Sequence, residues 1–188
     1  MKKTLIVAVL VLLGSLGYYA YQRDGGVASI VRSDNLIPTE YKKHESRYFW
    51  IKYPKEWFIS DIQDSLNSYT QISNFDPNVL TQTPSPQGSY FKLEIVRLNN
   101  EEDQPLQTWV NTYIANQDYK TDILDGHKII VDGHEGLYHI IKIVPVNSIH
   151  PIIFVKRDKS IYLLNISPSL QEFKQVFDII LESFKFKT

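Results

Sequence analysis

Five histidines, His44, His127, His134, His139 and His150, are the side chains best able to do chemistry near neutral pH in this 188-residue chain. His134-Glu135-Gly136-Leu137-Tyr138-His139 comes close to the zinc motif H-E-x-x-H. That motif needs two histidines at i and i+4 on one helix face. Here the spacing is i, i+5 in a segment that reads as a strand, so the two rings are expected on opposite faces. His127 and His134 each follow an Asp-Gly pair. Both triplets are expected to be turns, because the acidic pattern of a calcium loop is absent. The chain has no cysteine, which removes disulfides, thiolate metal sites, a thiolate nucleophile and a lipid-modified cysteine. Its eight glycines form neither G-x-G-x-x-G nor a Walker A loop, and no G-x-S-x-G elbow exists. Glu101, Glu102 and Asp103 are carboxylates in a row, and they precede a predicted helix. Their expected role is electrostatic, at the positive helix N-terminus. No catalytic, cofactor-binding or metal-ligating residue is therefore assigned, and no cofactor is expected. Catalysis would need a Ser-His-carboxylate site assembled from distant residues.

The elements that would position such residues follow from hydrophobic period. Residues 47–53 alternate, with Phe49, Ile51 and Tyr53 on one face, and Pro54 ends the run. Further strands are expected over 57–62, 69–75 and 90–98. In the last of these Phe91, Leu93 and Ile95 oppose Lys92 and Glu94. Leu106, Trp109, Val110, Tyr113 and Ile114 recur at helical spacing, and Pro105 suits the first turn. Asp132-Gly133 signals a two-residue hairpin between 128–131 and 135–144. A second pair, 152–156 and 161–166, turns at Asp158-Lys159. A final helix carries Leu170, Phe173, Phe177, Leu181 and Phe184, with Ser169 and Glu172 as a capping box and Ser167-Pro168 as an alternative start. About eight strands arriving in runs, with two one-striped helices, predict an α+β domain. Its central sheet is mainly antiparallel and sandwiched by amphipathic helices, and Trp57, Trp109, Phe173, Phe177 and Phe184 are expected in one core.

The N-terminus stands apart. Lys2 and Lys3 precede nineteen uncharged residues, 4–22. As a helix these would reach roughly 28 Å, close to the hydrocarbon thickness of a bilayer. The lysines place the start on the cytoplasmic side and export the rest. Residues 1–23 read as a signal anchor, with Tyr18, Tyr19 and Tyr21 as an interfacial belt; a cleaved signal peptide ending at Ser15-Leu16-Gly17 also fits. Residues 24–40 read as a linker and 41–188 as the folded domain. Beyond residue 23 the chain keeps all 21 acids but loses three of its 20 basic groups. An acidic exported domain is not expected to bind nucleic acid. Lys42, Lys43, Arg47, Lys52 and Lys55 are interleaved with Glu40, Glu45 and Glu56 and read as a solvated face, while Tyr48, Trp50 and Tyr90 read as sheet packing.

Residues 49–57, Phe-Trp-Ile-Lys-Tyr-Pro-Lys-Glu-Trp, resemble the opening of PsbP-like domains. Residues 180–186, Ile-Leu-Glu-Ser-Phe-Lys-Phe, are similar to the closing helix and tail of that family, and Asp132-Gly133 matches a hairpin glycine between them. The resemblance spans about 41–187. It implies a central antiparallel sheet between helices, the fold shared by the photosystem II extrinsic subunit and a Ran-binding import factor. It also implies a mostly non-enzymatic binding or assembly role, often in exported, membrane-tethered bacterial proteins. No photosystem- or ion-binding residue carries over, and the N-terminus does not resemble a transit peptide.

The function expected from the sequence is an exported, membrane-tethered accessory or binding domain with a protein partner. The alternative is a cell-envelope hydrolase. A pilin-like structural role lacks the cleavage signal with a glutamate inside the apolar segment. Residues 75–88 hold Pro77, Pro84, Pro86 and Gly88 with Asp76 as the only charge, and read as a long exposed loop suited to a partner.

Overall fold

A computed structural model describes residues 38, 40–63, 68–77, 90–167 and 172–187. The anchor segment, most of the linker and the bulk of the 75–88 loop lie outside them. Strands β1 (Tyr41–Glu45) and β2 (Phe49–Pro54) pair with the short β10 (Lys185–Phe186) in a three-stranded sheet of order β1-β2-β10. The main sheet has seven antiparallel strands in the order β3-β4-β5-β9-β8-β7-β6. These are β3 (Phe58–Gln63), β4 (Ser68–Ser73), β5 (Lys92–Asn99), β6 (Thr121–Val131), β7 (His134–Ile143), β8 (Ser148–Arg157) and β9 (Ser160–Ser167). Helix α1 is Leu106–Ala115 and α2 is Lys174–Ser183. The domain is α+β, as the element pattern predicts.

Turn chemistry sets the registers. Asp132 and Gly133 take φ of 49° and 78°, so the β6–β7 hairpin closes tightly with Val131 opposite His134. Asp158 takes φ of 51° between the paired ends of β8 and β9. The first Asp-Gly pair is a correction: Asp125 and Gly126 lie within β6, beside a register shift between Ile123 and Asp125. An Asp-Gly pair can serve a bulge as well as a turn, because both tolerate departures from flat strand geometry.

The expected single core is two cores separated by the sheet. Strands β8 and β9 are buried on both faces. Ile153, Val155, Tyr162, Leu164 and Ile166 point toward α2 and the small sheet. Ile152, Phe154, Ile161 and Leu163 point toward α1. Trp57, Phe173, Phe177 and Phe184 share the first cluster, whereas Trp109 packs against the second. The helices thus cover opposite faces, and the small sheet adds Phe49, Ile51 and Tyr53 beside α2. Lys52 ties the two, its backbone N–H donating to Ser183 Oγ at 2.8 Å.

Two strands escaped the sequence pattern. β1 has no buried alternation, since Lys42 and Lys43 are both exposed, and β10 is two residues long. Two helix ends also differ. No acid lies in the first turn of α1, whose N-cap is Pro105; Asp103 instead pairs with Lys156 at 2.7 Å. Helix α2 has Phe173 as N-cap without a side-chain cap bond, so Glu172 stands ahead of the helix and Ser169 falls outside the described residues.

Phe177 is 2% exposed in the larger core. Phe177→Ala should cost about 3–5 kcal/mol, read as a lowered urea midpoint at unchanged slope. Wild-type stability would show that α2 does not dock as described.

Candidate functional site

Polar residues gather on the α1 face of the main sheet, just past the end of the helix. Lys92 and Glu94 stand on the face of β5 opposite Leu93 and Ile95, as the alternation predicts. Both are buried, at 9% and 5% exposure, because β5 is covered on this face as well. Register brings their neighbours to them: Gln71 and Asn165 lie opposite Glu94, and Ser73 and Ser167 lie opposite Lys92.

The Glu94 carboxylate is fully engaged. Oε1 accepts from Lys92 Nζ and from the Tyr69 hydroxyl, both at 2.9 Å, and Oε2 accepts from Asn165 Nδ2 at 3.0 Å. A buried carboxylate persists only with such compensation. Burial, aided by this negative charge, pushes the Tyr69 hydroxyl far above the ordinary phenol range and the Tyr90 hydroxyl up to about 12. Both phenols stay protonated, and the Tyr69 hydroxyl helps to hold the carboxylate.

His150 lies on the same face from β8, 5% exposed, with a hydroxyl at each ring nitrogen. Ser148 Oγ is 2.5 Å from Nε2 and Ser167 Oγ is 3.3 Å from Nδ1. Burial is the main cause that holds its pKa below the ordinary value. A neutral imidazole between two hydroxyls has one proton to give and one lone pair to receive, which two serines satisfy. His150, Glu94, Asn165, Ser167 and Tyr113 line a cavity of about 40 Å³. A buried water needs about 10–15 Å³ of such volume, so the space suits a few waters.

This set contains a histidine, a carboxylate and hydroxyls, the combination that nucleophilic catalysis uses. Its arrangement differs from that chemistry. The carboxylate is neutralised by Lys92 and makes no hydrogen bond to the imidazole, and Ser167 faces a space too small for an acyl substrate.

The other sequence candidates are dispersed. His134 and His139 do point to opposite faces: His134 meets Phe186 at 4.9 Å between ring centroids, and His139 meets Phe154 at 6.3 Å. His139 is buried above Gly126, and burial holds its pKa below the ordinary range. His127 stacks on Tyr138, and His44 Nε2 lies 2.9 Å from Asp61 Oδ2. Among the described residues, no group of three His, Cys, Asp or Glu side chains could hold a metal ion. Near the start of the domain Lys43 pairs with Glu45 and lies over Trp50, Lys42 and Arg47 lie over Tyr53 and Tyr48, and Lys55 pairs with Glu40.

Sequence reasoning missed the buried pair because alternation reports one apolar face and leaves the other unassigned. A signal was present: His150, Asn165 and Ser167 interrupt otherwise apolar strands.

Two outcomes follow. Lys92→Met should cost about 3–5 kcal/mol by stranding the carboxylate, and adding Glu94→Gln should recover most of it. Equal losses in single and double variants, by urea denaturation, would contradict the pairing. His139 and His150 have lowered folded-state pKa values, so the unfolded chain binds protons first as pH falls below 6.5. Stability should be full above that value and decline below it, by at most about 1.4 kcal/mol per pH unit for each histidine. His139→Phe should flatten the decline; an unchanged slope would show that His139 titrates freely in the fold.

The family model described as PsbP-like protein matches residues 4–186. No curated protein matches the chain. Among solved structures, the chain is similar to cyanobacterial PsbP (CyanoP) from Synechocystis sp. PCC 6803, at 12% identity and a TM-score of 0.53, covering 87% of this chain and 99% of that one. It is also similar to PA94 from Pseudomonas aeruginosa, described as a protein of unknown function and putative regulator. That match has 12% identity and a TM-score of 0.52, covering 79% of this chain and 99% of the other. These likenesses show the fold, and the match over nearly the whole length shows the kinship: the chain belongs to the PsbP-like family.

Proposed function

We propose that the chain is a non-catalytic accessory or binding domain, held by residues 4–22 at the outer face of a membrane. The observation that carries the first half is the closed state of the polar cluster. Its carboxylate is consumed by Lys92, Tyr69 and Asn165, and its imidazole by two serines. Such a network stiffens the sheet under α1 and leaves neither the carboxylate nor the imidazole free to act on a substrate. Support for the second half comes from Lys2 and Lys3 ahead of nineteen uncharged residues. The anchor segment lies outside the described residues; among those, no helix is long and apolar enough to cross a membrane. A protein partner fits this reading better than nucleic acid, given the acidic balance beyond residue 23.

Protease added to intact spheroplasts should digest residues 41–188 while a cytoplasmic marker survives. Full protection would overturn the topology. A washed membrane fraction should retain the intact chain; release of a shortened form into the medium would replace the anchor with a cleaved signal.

A further inference from the structure

Helix α1 and the loop leading into it enclose an open groove of about 480 Å³. That size is typical of a small-molecule site, and the groove adjoins the smaller cavity beneath the helix through Tyr113 and Gln117. Trp109 and Tyr113, one turn apart on α1, both line it. Their rings stack with centroids 5.1 Å and planes 12° apart. Both are only partly buried, so each keeps surface beyond what the α1 core takes.

The groove's polar lining is almost entirely amide and carboxylate. Asn99, Glu101 and Asn116 are exposed there, and their side chains have no partner among the described residues. The loop behind them is braced. Asn100, 3% exposed, donates from Nδ2 to the Gln104 carbonyl and accepts the Gln104 N–H at Oδ1, both at 2.9 Å. Asp103 is held by Lys156. A rim fixed in this way loses little freedom when a ligand binds. No lysine or arginine lines the groove, while Glu101 and Glu102 both do.

We propose that this groove binds a neutral oligosaccharide. A pyranose presents two kinds of surface. Its axial C–H bonds form an apolar patch that packs on an aromatic face, where the ring quadrupole is negative. Its vicinal hydroxyls each donate and accept, and are matched by an amide, which offers both functions, or by a carboxylate, which accepts twice. The ring surface that Trp109 and Tyr113 do not give to each other or to Phe154 supplies the first kind of partner; Asn99, Asn116 and Glu101 supply the second. The two carboxylates repel phosphorylated, sulfated or uronic ligands, which restricts the class to uncharged sugars. The inference rests on the binding-domain reading and gives it a ligand class; it is independent of the topology.

The test uses the full-length chain in a non-glycosidic detergent, titrated with cellotetraose and with chitotetraose. Binding is followed by tryptophan fluorescence and saturation-transfer NMR. At least one neutral probe should bind saturably with a Kd of about 1 mM or tighter, and tetragalacturonate should not bind. Asn116→Ala combined with Glu101→Ala alters only exposed groups and should weaken binding at least about tenfold. Trp109→Phe should retain part of the affinity and Trp109→Ala should abolish it. No saturable response to either neutral probe up to about 10 mM, or undiminished binding by the Asn116/Glu101 variant, would overturn the proposal. A protein cross-linked through position 116 in native membranes, with no response to either sugar, would also overturn it while leaving the binding-domain reading intact.

Discussion

The central residues of strands β8 and β9 are buried on both faces, and the rest of the molecule is arranged around that fact. A strand points successive side chains to opposite faces. Two adjacent strands whose central residues are apolar on both faces, Ile152–Val155 and Ile161–Leu164, therefore need a cover on each face. Helix α1 covers Ile152, Phe154, Ile161 and Leu163. On the other face α2 alone does not span the area, and β2 with its partners completes the layer through Phe49, Ile51 and Tyr53. The three-stranded sheet, which has few contacts of its own beyond β2, exists as part of this second cover.

The same two-sided burial explains why the Glu94 carboxylate and the His150 imidazole are bonded at every oxygen and ring nitrogen. Lys92 and Glu94 occupy the parity that an exposed β5 would give to water. Once covered, their charges need partners of their own, and the register of the antiparallel sheet delivers them to Glu94 from the two flanking strands. Tyr69 arrives from β4 and Asn165 from β9, while beside them Ser167 of β9 and Ser148 of β8 partner His150. A half-satisfied cluster would be less stable than an apolar one. Completeness here is a condition for burial, and it is also what removes these groups from reactive chemistry.

Much of the fold was legible in the residues. The Phe49/Ile51/Tyr53 alternation, the Asp132-Gly133 turn and the α1 and α2 stripes each report a short-range rule that tertiary contacts reinforce. The opposite orientation of His134 and His139 followed from strand parity alone. What was not legible depended on long-range assembly. Nothing near Lys92 says that its face is covered, nothing near Asp125 distinguishes a bulge from a turn, and β10 exists only because β2 offers it an edge. The groove above α1 was equally hidden. Trp109 and Tyr113 read as core stripe, and the acidic residues before them as helix-end charge, until the loop geometry set them side by side.

Gly126 shows how far one such long-range contact reaches. It sits opposite His139 in the β6–β7 pair, and a Cβ built on it would lie 2.3 Å from the His139 Nδ1 and 2.7 Å from its Cε1. No side chain shares that space with an imidazole in this rotamer. The two positions, thirteen residues apart, therefore behave as one steric unit. A relative that carries a larger residue at the first must carry a smaller or redirected one at the second, so any buried-histidine pH response at this place would be inherited only together with the glycine.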